Sequence, residues 1–580
     1  MKKQRFFGMA LLIMGVLLIF SMMGCELFFP EPDPDPDDKD KDVNISSING
    51  LNTYLQSQPQ NTADEPYTVN LNVSDLGANT SPNGGVSLTG QAIIDAGRYV
   101  SLDLSGSTFT SIEDGAFNGC KTLTSITLPD SVTSIGQTAF ANCDSLTSVN
   151  IPASVTSIGT ALFGLSGVTT VTVDANNPNY SSEGGILYDK NKTTLVAAGG
   201  GITSVTIPAS VTSIGDGAFT GCVGGIGDIT IPNGVTSIGA NAFALSGITS
   251  VTIPDSVTTI GSGAFGFSGI TSATIGNGVE SIKGLFGLTP NLETLTLGSG
   301  VTEITPSDFM FSSSLTTVTI HPNNTTYASD DGVVYNKAKT EIILVPQGKT
   351  SVIIPDTITK IGSSDFSYCT KLTSITIPAT VTEIASGAFS SLNSLTNITI
   401  EAGNPSFEKE NNVLYNKGKT TLIMAFKGIT SVTIPNSVTS IESNAFSRCV
   451  NLTSVTFGSG AASIGDSAFY GCTELADITI GGGVTSVGGS AFSGCTSLES
   501  VTFGTSVTSI GFYAFYGCTN LASVTFEGTI STTQFSNSAF PSNGNLRAKF
   551  YASNSSTGTP GTYTTTAPVS ENSVWTLLVE

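Results

Sequence analysis

The sequence predicts a repeat solenoid of the α/β type, with a parallel sheet, hairpin inserts and a small cap at each end. Three observations predict it. Phenylalanine recurs, mostly every 23 residues, at Phe117, Phe140, Phe163, Phe219, Phe243, Phe265, Phe286, Phe309, Phe366, Phe389, Phe446, Phe469, Phe492, Phe515 and Phe540. Its surroundings recur as well, as SIGxxAFxxCxxLTSVTIPxSVT. Three of the gaps lengthen to 56 or 57 residues, and the extra chain in each follows one pattern. A period in the twenties is the mark of stacked units that are too small to fold singly.

Length and composition set the outer bounds. A chain of 580 residues ordinarily divides into several domains, but a solenoid grows without dividing. Charged residues make up only 11%, yet 39% of residues are hydrophobic, which excludes a disordered chain. The net charge of −22 repels phosphate backbones and anionic lipid, so nucleic acid is excluded as a partner of the body.

Residues 1–24 read as an export signal. Lys2, Lys3 and Arg5 precede an uncharged run over residues 6–24, which ends Ser-Met-Met-Gly before Cys25. A small residue before Cys at this place resembles the bacterial lipoprotein signal, in which Cys25 would carry the lipid. Met22 departs from the usual Leu of that signal. A single anchor helix or an ordinary cleaved signal fits the same run. Residues 25–42 hold eight acidic residues and two Lys, with Pro at alternate positions. Such a segment is extended and stiff, as a tether would be. It lacks the turn glycine and closing Glu of a calcium loop.

Residues 43–98 lack the repeat and read as an N-terminal cap. SSINGLNTYLQSQ sets Ile48, Leu51 and Leu55 on one helix face. YTVNLNVSDL alternates as a strand, SLTGQAIIDAG reads as a second helix, and YVSLDLSG enters the first coil. Covering the open end of the stack is what a cap must do.

Residues 99–545 carry the repeats. In ELADITI, Leu475, Ile478 and Ile480 point inward and the residues between point outward. Pro after the strand, as at Pro129, Pro254 and Pro435, removes a donor where pairing stops. Phe492 then forms the opposite wall and Cys495 closes the coil. Eight cysteines share that last slot: Cys120, Cys143, Cys222, Cys369, Cys449, Cys472, Cys495 and Cys518. Ser166, Ser246, Ser268, Thr289, Ser312 and Leu392 fill it elsewhere, so the slot wants a small or apolar buried side chain and not a bridge. Neighbouring pairs such as Cys472 and Cys495 would still be close enough to meet.

The pattern CxxLxxVxIPxxVxxIGxxAFxx resembles the BspA-like, or Treponema-type, leucine-rich repeat over nearly three quarters of the chain. That resemblance implies a curved solenoid, with a parallel sheet on the concave face and an irregular or short-helical convex side. It also implies a surface-exposed, non-catalytic bacterial protein that acts in adhesion.

The long gaps place inserts at about residues 174–201, 321–349 and 401–428. NPNYSSEGGILYDKNKTTLV, NTTYASDDGVVYNKAKTEIIL and NPSFEKENNVLYNKGKTTLIM each read as two alternating runs about D/N-K-x-K, a β-hairpin. Lys190, Lys192, Lys337, Lys339, Lys417 and Lys419 fall at the tips, as candidate basic fingers for an acidic partner. Lysine also protects hairpin edges from aggregation, which explains the same residues without a partner. Residues 546–580 leave the period. RAKFYAS, GTYTTT and Trp575 suggest a strand pair that closes the stack.

Catalytic signatures are missing. His321 is the one imidazole and has no Ser or Cys partner at readable spacing, and carboxylates do not pair regularly. No cofactor or metal is expected. What recurs is Ser/Thr-x-Thr on the strand, at Ser125 and Thr127, Ser204 and Thr206, Ser250 and Thr252, Thr317 and Thr319, Ser374 and Thr376, Ser431 and Thr433, Ser454 and Thr456, Ser500 and Thr502, Ser523 and Thr525. Alternation puts both members on the solvent face. The expected function is a non-catalytic cell-surface adhesin or binding protein. Its partners would be extracellular-matrix proteins, other host or cell-surface proteins, or glycans, and it would reach the membrane, the outer one, only through a lipid anchor. The competing reading is a passive surface lipoprotein without a ligand.

Overall fold

The computed structural model describes residues 43–78, 85–460, 463–481, 483–540, 544–570 and 572–578. Residues 1–42, with the signal, Cys25 and the tether, lie outside them. No helix among the described residues is long and apolar enough to cross a membrane.

Each regular coil contributes two strands, one to each of two parallel ladders. The longer strand is the LTSVTI segment. Ser250, Val251, Thr252 and Ile253 stand in register with Ser272, Ala273, Thr274 and Ile275 of the next coil. Val251 and Ile253 are buried and Thr252 is exposed, the alternation the sequence predicts. The second strand is only the Ser-Ile of SIG, as in Ser134–Ile135, which pairs with Ser111–Ile112 and Ser157–Ile158. The glycine that follows is fixed by close approach of the coils. A Cβ on Gly261 would fall 2.2 Å from the Ala240 backbone nitrogen. The rest of the coil is turn, with one 3-10 helix at Pro306–Phe309. Residues 203–207 carry the strand pattern but join no ladder. They lie between the first insert and a turn whose Gly225 and Gly227 are left-handed.

The repeat phenylalanines are buried and stack on one another. Ring centroids of Phe446, Phe469, Phe492 and Phe515 follow at 4.7, 5.0 and 5.2 Å, with planes within 8°. The column stops at each insert. There the backbone position of the ring is taken by Ala198 and Ala425, whose N–H groups donate to Ala218 and Ala445 as Phe140 donates to Leu162. In the second insert Val345 has that place, and its carbonyl accepts from Cys369 Sγ at 3.4 Å.

The inserts are three-stranded antiparallel sheets, where the sequence predicts two-stranded hairpins. Their strands are Tyr180–Glu183, Ile186–Asp189 and Thr194–Ala198, then Tyr327–Asp330, Val333–Asn336 and Ile342–Leu344, then Phe407–Glu410, Val413–Asn416 and Thr421–Ala425. The additional turns are Gly184-Gly185, Asp331-Gly332 and Asn411-Asn412, with both φ positive in each. Two such residues make the tight hairpin turn whose twist matches its strands. In two inserts the third strand continues as the first rung of the next second ladder: Thr194 and Leu195 pair with Ser213 and Ile214, and Thr421 and Leu422 with Ser440 and Ile441.

The inserts also divide the core. Buried residues form four clusters, with seams at the three inserts. Within the first insert, Leu187 and Ala197 join the preceding cluster, while Ile186, Tyr188 and Leu195 join the following one. Within the third, Leu414 and Met424 face back and Val413, Tyr415 and Leu422 face forward. The insert is therefore a septum across the stack, apolar on both faces.

Both ends are covered. At the N-terminus the strands Val43–Ile45 and Tyr67–Leu71 extend the longer ladder in parallel to Val100–Asp103. The first of these has no counterpart in the sequence reading. The intervening helices, Ile48–Ser57 and Leu88–Ala96, are capped by Ser47 and Ser87, and the second ends at left-handed Gly97. At the C-terminus Leu546–Phe550 of the RAKFYAS segment is helical, not a strand. Gly561–Thr564 and Thr576–Leu578 turn antiparallel on Ser523–Phe526, and Trp575 is buried beneath them.

Candidate binding surface

The outward row of the longer ladder is the most regular exposed feature. Register aligns Thr230, Thr252, Thr274, Thr296 and Thr319 on five consecutive strands. All five are exposed. Among the described residues their hydroxyls make no hydrogen bond to the protein, so each keeps a donor and acceptor for solvent or ligand. The spacing is one strand, about 4.8 Å. Thr274 and Thr296 end Ser/Thr-x-Thr runs that the sequence expectation leaves out, and Thr230 departs from that pattern because Asp228 holds the Ser place.

The companion row is more self-satisfied. Ser250 Oγ donates to Asp228 at 2.6 Å, Ser500 donates to Asp477, and the Ser101 and Ser125 hydroxyls lie 2.5 Å apart. The two hydrogen bonds from Ser250 and Thr249 hold the Asp228 carboxyl below its usual range. Thr127, Ser454 and Thr456 are exposed strand residues, and Ser125, Ser500 and Thr502 are half-buried. Ser500 and Thr502 continue into Ser523 and Thr525 on the next strand. Ser204 and Thr206 are exposed but off the ladder.

The six insert lysines divide into two kinds. Lys192, Lys339 and Lys419 are half-buried, left-handed turn residues, each paired with an acid of its own insert. Lys192 meets Glu183 at 2.5 Å, Lys339 meets Asp330 at 2.7 Å, and Lys419 meets Glu410. The hydrogen bond and charge of Lys339 hold the Asp330 carboxyl down, and Glu410 raises the Lys419 ammonium. Lys190, Lys337 and Lys417 are exposed. Of these, Lys190 Nζ donates to the Asn177 carbonyl at 2.6 Å and Lys337 Nζ to that of Pro322 at 3.0 Å. Five of the six thus have partners within the insert.

A stronger device in the inserts escaped the sequence reading. Asn177, Asn324 and Asn404 are buried and satisfied on both sides. The Asn177 amide donates to the Pro152 and Val155 carbonyls, and its oxygen accepts from the Asn179 and Tyr180 nitrogens, over 2.8–3.1 Å. Asn324 and Asn404 repeat the arrangement on Gly298 and Val301, and on Pro378 and Val381. The recurrent N-x-x-Y/F of the inserts is its signal.

The cysteine slot is packing. All eight thiols are buried and free. Cys143, Cys472, Cys495 and Cys518 donate to the phenylalanine carbonyl of the preceding coil at 3.1–3.2 Å. Ser166, Ser246 and Ser268 turn instead to the carbonyl of their own coil at 2.6–2.7 Å. Burial pushes the Cys143, Cys222, Cys369, Cys449 and Cys518 thiols up to about 12, which leaves them unreactive near neutral pH. His321 Nδ1 accepts from the Asn323 nitrogen in a turn. Among the described residues no three His, Cys, Asp or Glu side chains form a set that could hold a metal.

The family model described as the BspA type leucine rich repeat region matches six copies, over residues 98–184, 198–316, 283–351, 347–423 and 423–547. A leucine rich cell surface protein of Faecalibacterium prausnitzii is 27% identical over 62% of this chain and 96% of its own, with a TM-score of 0.35. A leucine-rich repeat protein of Bacteroides ovatus is 25% identical over 72% of this chain and 82% of its own, with a TM-score of 0.30. No curated protein matches the chain. With its matched repeats running from the end of the N-terminal cap to the start of the C-terminal one, the chain belongs to the BspA-type leucine-rich repeat family.

Proposed function

We propose that this protein is a non-catalytic cell-surface adhesin, held through a lipid on Cys25, that grips an extended macromolecule along its longer ladder. The observation that carries the reading is the row Thr230, Thr252, Thr274, Thr296 and Thr319, five exposed hydroxyls in register with no partner in the described protein. Repeated weak hydrogen bonds at strand spacing suit a polymer with repeated polar groups, either a glycan or an extended peptide. Membership of a repeat family with surface proteins among its relatives supports the placement. The paired insert lysines support only a secondary role for charge.

The test is binding of the chain from Val43 onward to an array of extracellular-matrix proteins, cells and glycans. Thr252→Val, Thr274→Val and Thr296→Val together keep the branched shape and remove three hydroxyls. Saturable binding should weaken at least about tenfold in this variant, at roughly 0.5–1.5 kcal/mol per lost bond. An array with no saturable partner leaves the passive surface protein as the better reading.

A further inference from the structure

The first and third inserts do not close on the stack alike. At the first, the turn of the following coil meets that of the preceding one directly. The Leu165 nitrogen donates to the Gly221 carbonyl at 3.1 Å, and a Cβ on Gly217 would fall 3.0 Å from the Ala161 nitrogen. At the third, no backbone hydrogen bond among the described residues joins residues 385–392 to residues 442–449. A cleft of about 250 Å³ opens there, between the second-ladder strand Glu383–Ile384, the insert and the following coil. One side-chain hydrogen bond crosses it, from Ser386 Oγ to the Glu442 carboxylate at 2.5 Å.

Glu442 stands where the following coils have glycine. Gly465, Gly488 and Gly511 hold that place, and a Cβ on Gly465 would fall 2.6 Å from the Ser443 nitrogen. Behind Glu442 lies the insert strand Thr421–Ala425 in place of a regular coil, and its Leu422 carbonyl accepts from the Glu442 nitrogen. The insert permits a side chain here without calling for one, since Gly215 follows the first insert in the same place. Half-buried Glu442 has no partner for its carboxylate but Ser386 among the described residues, although a carboxylate accepts at about four sites. Asn444 also lines the cleft, and its amide makes no hydrogen bond among the described residues. Ile384, Phe407 and Met424 supply an apolar wall, and no Lys or Arg is in the lining. Of the lysines on the flanking segments, Lys360 is paired with Glu383 at 2.6 Å, Lys419 is paired with Glu410, and Lys417 is exposed at the insert tip.

We propose that this cleft is a binding site for the arginine side chain of a partner polypeptide. Its volume suits one long side chain, since sites for whole drug-sized ligands begin near about 300 Å³. Glu442 sets the sign of the charge, and Glu383, already neutralised by Lys360, adds none against it. The apolar wall suits an aliphatic stem, which long basic side chains bury while the head stays polar. The head is chosen by the acceptors. A carboxylate and an amide oxygen on residues 442 and 444 suit a planar guanidinium, with its five N–H donors in a fixed fork. A lysine ammonium is a compact point charge that holds its water more strongly. The cleft borders the second ladder and not the longer one, so it stands whether or not the threonine row binds.

The test titrates the full chain with three blocked pentapeptides, Gly-Ser-X-Ser-Gly, in which X is arginine, its neutral isostere citrulline, or lysine. The arginine peptide should bind at least about tenfold more tightly than the citrulline peptide, because the charge-assisted hydrogen bonds are lost in the latter. It should also bind at least about threefold more tightly than the lysine peptide. Glu442→Gln should bring arginine and citrulline within about twofold of each other. Glu442→Gly, which restores the residue of the following coils, provides the same readout should Glu442→Gln express poorly. Glu280→Gln removes the same charge elsewhere and should leave the preference unchanged. Ser386→Ala breaks the bridge but keeps the carboxylate, and should keep the preference too. Equal binding of arginine and citrulline overturns the proposal, as does a Glu442→Gln variant that discriminates as the parent does. Loss of the preference in Glu280→Gln assigns it to the overall charge of the chain, and loss in Ser386→Ala assigns Glu442 to holding the seam. Either result overturns the site, and parity of lysine with arginine overturns the choice of guanidinium.

Discussion

A regular coil and an insert solve one problem by opposite means. The regular coil buries a phenylalanine on its neighbours and repeats, so Phe219, Phe243, Phe265 and Phe286 form one stacked column. The insert removes the ring, leaving Ala198, Val345 or Ala425, and fills the space with a sheet that is apolar on both faces. It is also fastened to the stack by a polar device that the regular coil lacks, a buried asparagine with four hydrogen bonds. Apolar stacking tolerates small misalignment and can repeat without limit. A saturated amide demands one geometry and ends the run.

Substitutions at the two kinds of site should separate these modes. Phe243→Ala opens a cavity between two stacked rings, and should cost about 4 kcal/mol. Chemical denaturation should register the loss, and hydrogen exchange should confine it to the block around residues 186–344. Equal loss of protection in the blocks beyond the inserts would show that the seams do not insulate. Asn177→Ala leaves two carbonyls and two amides without their partner, at about 3 kcal/mol. Exchange should quicken on both sides of the first insert, unlike the one-sided effect of Phe243→Ala. Lys192→Ser breaks an ion pair that solvent still reaches and should change stability by less than about 1 kcal/mol. A larger drop would mean that the turn, and not the septum, holds the insert.

The regular coil was legible in the sequence because every slot is read fifteen times over. Burial of Phe492, Cys495 and Ile478 follows directly from the period. The insert was legible only in part. Its position follows from the gaps, yet its third strand does not, because Gly184-Gly185, Asp331-Gly332 and Asn411-Asn412 sit inside stretches that otherwise pass for one strand. These pairs are the stronger turn signals, and the D/N-K-x-K segment is conspicuous only for its charge. Charge is a poor guide to the site as well. Lys192, Lys339 and Lys419 are conspicuous in an acidic chain, but their counter-ions Glu183, Asp330 and Glu410 sit nine residues back, in register only once the sheet forms. The threonine row needs the register as well: Thr230 follows an Asp and not a Ser or Thr, and joins Thr252, Thr274 and Thr296 only when the strands line up.

The four-part core has a mechanical consequence. A molecule tethered through Cys25 would bear tension along its length, and a septum marks where one packed block ends and the next begins. Such a chain gives way in instalments. Loss of the shortest block, over residues 333–426, would by itself let out roughly 300 Å of extended backbone while the other three remain folded. The inserts would then act as fuses, each limiting how far a pull on the surface travels into the stack.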